Sequence, residues 1–134
     1  MKRENVDEFE KLKTQLDSIH QEMSQLAKKS PNDAVNTFKI KFVNVTLKRC
    51  NDLLGPKYRP YPDFDAFSAD DLPSNSDVTF IVSQYIESAE KFRSDHIFMQ
   101  HGQWWWSTDD VDRNKTLDTD LAIRTMAPKK LRSE

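Results

Sequence analysis

The sequence predicts a mainly α protein, a three-helix bundle carrying a small C-terminal two-stranded β-hairpin. Apolar residues recur at helical spacing in three long stretches. Only 2 glycines occur, too few for a fold made of tight turns or for a glycine-rich phosphate loop. Prolines 56, 60, 62 and 73 break the chain between the second and third stretches. A length of 134 residues suits a single domain spanning 1–134. The charged fraction of 31% implies long solvated helix faces, while eight Phe, three Tyr and three Trp are too many for a chain without a core.

The first helix is predicted over 4–28. Phe9, Leu12, Leu16, Ile19, Met23 and Leu26 alternate in spacings of three and four, a narrow heptad seam that pairs with one neighbouring helix. That neighbour is either another helix of this chain or a second copy of it. The second helix is predicted over 31–54. Ser30 is placed to cap, Pro31 suits the first helical position and Asp33 the capping-box position, and Gly55-Pro56 ends the helix. It carries two apolar stripes, Val35/Phe38/Phe42/Val45 and Ile40/Val43/Leu47/Cys50/Leu54. At ~100° per residue their centres lie about 140° apart, so the helix is expected to touch two partners from the middle of the bundle. Thr37, Lys41, Asn44, Lys48 and Asn51 form its remaining polar face.

Residues 55–75 read as a loop whose Tyr58, Tyr61, Phe64 and Phe67 strap it to the core. The third helix is predicted over 75–98, capped by Ser74 or Asn75 with Asp77 in its first turn, and Val78, Ile81, Val82, Tyr85, Ala89, Phe92 and His96 form its stripe. Residues 103–126 then hold the hairpin, "WWWST" pairing with "LAIRTM" across a polar connection, and 127–134 form a frayed basic tail. Strand alternation puts Trp104 and Trp106 on the core side with Leu121 and Ile123. It turns Trp105 outward beside Ala122 and Arg124, either under a cation–π contact from Arg124 or open to a partner.

Charge is laid out in blocks beneath a net of −2. Residues 28–59 hold eight Lys and Arg against two acids, and residues 60–90 hold seven acids with no Lys or Arg. These blocks either face each other within the fold or present two poles to partners. One cysteine, Cys50, excludes an internal disulfide and suits a reducing compartment. The polar N-terminal stretch is no secretory signal and no apolar run is long enough to span a membrane, so the expectation is a cytoplasmic protein without a membrane partner.

Motifs for chemistry are weak. Asp110, Asp112 and Asn114 match the first ligands of a calcium loop, but Lys115 stands at its glycine and Leu121 at its bidentate glutamate. Cys50, Asp95, His96 and His101 show no metal or nucleophile spacing. "YRPYPDF" reads as a rigid strap, and "KKLR" at 129–132 as a short basic tail resembling a minimal nuclear import signal. No catalytic residue, cofactor or metal is therefore predicted.

The expected function is non-enzymatic protein–protein interaction or assembly. Phe9, Leu12, Leu16, Ile19 and Met23 of the seam, with Trp105 and Arg124, would contact a protein partner or a second copy. The alternative is association with nucleic acid, with Lys28, Lys29, Lys41, Lys48 and the basic tail contacting phosphates.

Overall fold

A computed structural model describes residues 1–131. The chain runs through α1 (Arg3–Lys29), α2 (Thr37–Tyr58), α3 (Asn75–Asp95), β1 (Ile97–Gln100), β2 (Gln103–Trp106) and β3 (Arg124–Thr125), with single 3₁₀ turns at Ala69–Asp71 and Lys129–Leu131. It is mainly α with a small antiparallel sheet, as the periodicities predict. The last part of the predicted tail, 132–134, lies outside the described residues.

Helix α1 spends its seam inside the chain. Phe9, Leu12, Leu16 and Met23 are buried together with Val6, and Ile19 and Leu26 pack partly buried at the edge of the same core. Its principal neighbour is α3, with α2 filling the remaining side. The seam residues therefore offer no open apolar row to a second copy. The core closes over them with Leu47, Cys50 and Leu54 of α2, Val78, Val82, Tyr85 and Phe92 of α3, and Trp106 of β2.

Helix α2 corrects the sequence reading at both ends. It starts at Thr37, capped by the Asn36 side chain accepting from the Lys39 amide at 2.8 Å, not at residue 31. The "SPND" segment caps α3 instead. The Asn75 amide donates to the Asp33 carbonyl at 2.9 Å and the Ser76 amide to the Pro31 carbonyl at 3.0 Å. Together with the Ser74–Asp77 capping box, these bonds satisfy the amides that a helix start leaves orphaned. At the other end, Gly55 (φ 71°, ψ 177°) breaks the helical path, but the chain resumes one more turn to Tyr58.

The hairpin is also re-paired. Strand β2 pairs with β1, not first with 121–126, through a two-residue turn in which His101 (φ 55°) and Gly102 (φ 75°) are both left-handed. Residues 97 and 98, predicted as helix, belong to β1. Strand β3 adds to the other side of β2, in the register Trp104↔Thr125 and Trp105↔Arg124, so the sheet has three strands in the order β1-β2-β3. Trp106 points into the bundle and Trp104 lies partly buried on the same side. Trp105, predicted to face outward, is buried in a second small cluster with Phe98 and Leu117. The segment after β2 folds over that face. The cation over this cluster is Arg113, 5.3 Å from the Phe98 ring, while Arg124 is exposed. Leu121, predicted as core, is exposed, its amide donating to the Asp118 carbonyl and its carbonyl accepting from Arg3.

Candidate docking surface on helix α2

The two stripes of α2 meet different fates. Ile40, Val43, Leu47, Cys50 and Leu54 are buried. Of the other stripe only Val35 is covered, because its amide donates to the Pro73 carbonyl in the crossing that ties 34–35 to 73–75. Phe38, Phe42 and Val45 are 71%, 51% and 43% exposed. The expectation that α2 sits centrally and fills both stripes is thus corrected. Helices α1 and α3 pack most extensively on each other, leaving α2 to cover them from one side.

The exposed stripe stands between two grooves. On the α1 side, Phe38 and Phe42 overhang a depression of about 280 Å³ floored by Ile19, Met23 and Val43, with Lys39 and Glu22 paired at 2.8 Å on its rim. On the other side lies a channel of about 500 Å³ between α2 and the proline-rich loop, bordered by Val45, Lys48, Asp52, Asp65 and Ala66. The loop is held there by a reciprocal pair between Asn44 and the Phe67 backbone, both bonds 2.8 Å, and by Arg59 Nη2 on Asp65 at 2.8 Å. The predicted strap is therefore real, and it shapes one wall. The phenyl rings of Phe38 and Phe42 meet edge to face at 5.0 Å.

Charge around the stripe is largely unanswered. Lys28, Lys29, Lys48 and Arg49 are exposed and make no ion pair or hydrogen bond among the described residues, and Lys41 reaches only the Phe42 ring, at 5.9 Å. The basic and acidic blocks meet directly in one ion pair, Arg59–Asp65, among the described residues. So of the predicted phosphate contacts Lys41 and Lys48 flank the apolar stripe, while Lys28 and Lys29 lie in the last turn of α1.

The other candidates resolve into structure. Cys50 borders an apolar gap with Phe9, Leu12 and Leu16, and burial, aided by the Glu8 charge, pushes its thiol up to about 12. His96 ends α3 stacked on Phe92 at 4.2 Å, its Nδ1 2.6 Å from the Phe92 carbonyl oxygen. Asp112 and Asp118 accept from the amides of Asn114 and Asp120, so the calcium-like segment is a run of turn-forming aspartates. Among the described residues no cluster of three or more His, Cys, Asp or Glu is placed to hold a metal ion, and no helix is long and apolar enough to cross a membrane. A larger cleft of about 900 Å³ runs between α1, α3 and the sheet. Its charges are largely engaged: Lys13 pairs with Asp17, Glu90 pairs with Arg93, and Glu10 accepts from the Trp106 indole.

The fold and this surface define a small helical protein with an open apolar helix face. No family model, curated protein or solved structure matches the chain.

Proposed function

We propose that this is a non-enzymatic interaction protein that receives a protein partner on the outer face of α2. The observation that carries this reading is the row Phe38, Phe42 and Val45, three apolar side chains in line on one helix and turned to water. Single exposed apolar residues are ordinary, but a contiguous row beside concave ground marks a recognition surface. Aromatic anchors at the centre of such a surface supply most of its binding energy. The reading keeps the recognition role that the sequence suggests and moves it from the α1 seam, with Trp105, to α2. An enzyme centred on Cys50 has little support, since a buried thiol pushed up in this way is a poor nucleophile.

A photoreactive phenylalanine analogue at position 38 or 42, compared with one at exposed Phe80 on α3, tests the reading in the native cell. The expected result is one defined protein adduct at 38 and 42, identified by mass spectrometry and missing at 80. Adducts that are the same at all three positions, or no protein adduct at 38 and 42, overturn it.

A further inference from the structure

We infer that the occupant of this face is an acidic amphipathic helix, with aliphatic side chains at i, i+4 and i+7 and Asp or Glu along its flanks. This rests on the reading of α2 as a docking surface and adds the chemistry of the partner.

Charge selects it. Lys41 and Lys48 lie two turns apart along one side of the stripe, and Arg49 continues the stripe at its C-terminal end. None of these three is neutralised by an ion pair among the described residues. Two nearby carboxylates are already engaged, Glu22 by Lys39 and Asp65 by Arg59, leaving Asp52 as the unengaged acid lining the channel beside Lys48. A partner with acidic flanks supplies the missing counter-charge and gains rate and specificity from it.

Shape selects a helix. The 280 Å³ depression between α1 and α2 has an aliphatic floor and aromatic walls, the form that accepts successive side chains from one face of a helix. Other occupants fit less well. A second copy docking α2 on α2 would bring Lys41, Lys48 and Arg49 onto themselves. A nucleic-acid strand would lay phosphates across Val45 and Phe38, and the two phenyl rings meet at 64°, not as successive parallel platforms for bases. A flat anionic membrane would also meet the exposed acids of residues 63–71, in the loop that Asn44 and Arg59 hold against α2, whereas a helix about 10–12 Å wide covers only a strip of that surface.

The probe is a labelled helical peptide of about 18 residues with Leu at the stripe positions and Glu on the flanks, beside a twin carrying Lys for every Glu. Binding is read by anisotropy at low and high salt. The acidic peptide is expected to bind about tenfold or more tightly than its twin at low salt. Lys41→Glu, Lys48→Glu and Arg49→Glu together should abolish that preference, and Phe42→Asp should abolish binding, with helical circular dichroism unchanged in both variants. Equal binding of the twin, still lost in Phe42→Asp, overturns the acidic partner and leaves the docking face standing. Neither peptide binding, whether or not phosphatidylserine vesicles or a single-stranded oligonucleotide bind through Phe42, overturns both. Self-association lost in Phe42→Asp also overturns the inference, in favour of a second copy.

Discussion

At the scale of single residues, the three consecutive tryptophans show what environment does to one residue type. Trp106 is wholly buried, its ring edge-on to Phe9 at 5.1 Å and its indole N–H directed to Glu10 Oε1 at 3.3 Å. Replacing it by alanine removes the largest side chain of the main core, and Trp106→Ala should cost about 3–5 kcal/mol by chemical denaturation. Phe42→Asp, half exposed and losing one edge-to-face ring contact with Phe38, should cost no more than about 1.5 kcal/mol. A loss for Phe42→Asp as large as that for Trp106→Ala would mean that the stripe is structural. Alternation along a strand correctly sends Trp106 inward and Trp104 to the same side. It misplaces Trp105 because alternation says which side a residue faces, not what later chain covers that side. Leu117, the residue that closes over Trp105, lies in an aspartate-rich segment with no periodicity to single it out.

At the scale of elements, the helices are legible and their ends are not. Stripes in α1 and α3 predict what is buried, because an amphipathic helix with one apolar face has one way to pack. Helix α2 has two faces, and the linear pattern does not say which one wins. That is settled by α1 and α3 meeting each other, so half of the candidate site is legible as a stripe but not as an exposed one. Capping signals fail for a related reason. Ser30, Pro31 and Asp33 suit a helix start, yet the same carbonyl geometry serves the first turn of α3 across the fold. Gly55 gives a test at this scale. Its φ of 71° with ψ of 177° is a conformation open essentially to glycine alone, and a Cβ there would touch nothing within 4 Å. Any penalty is therefore backbone strain, and Gly55→Ala should lose about 1–3 kcal/mol. The turn beyond it carries Tyr58, whose hydroxyl donates to Asp95 at 2.8 Å and whose ring lies 5.2 Å from Phe92. The loss should therefore appear together with a changed near-ultraviolet tyrosine signal. Unchanged stability would show that residues 55–58 relax freely.

At the scale of the whole molecule, the question is how the C-terminal segment is held to the bundle. The buried Arg93 guanidinium donates to Thr125 Oγ1 at 2.8 Å and to the carbonyls of Met126 and Ala127 at 2.6 and 2.9 Å. Glu90 holds Arg93 in place and accepts from the Lys129 amide at 3.1 Å. These two residues, three apart on α3, join the helices to the third strand of the sheet and to residues 126–129 beyond it. Burial alone would raise the Glu90 carboxyl, but bonds from Arg93, the Lys129 amide and Ser94 overcome it and hold the group below its ordinary 4.5. A carboxylate whose folded value is depressed contributes stability that is present above the unfolded value and lost as pH falls through the folded one. Glu90→Gln should therefore be less stable at neutral pH, by about 1–3 kcal/mol given charge-assisted bonds of this kind. The gap between variant and parent should close as pH drops below 4.5. Thermal unfolding of both proteins between neutral pH and acid checks this, and a gap that stays constant across that range would show that Glu90 acts through shape rather than charge. The clasp lies on α3, which leaves the α2 face out of its reach. Peptide binding at that face should survive Glu90→Gln, and a loss of binding there would mean that the two ends of the molecule are coupled.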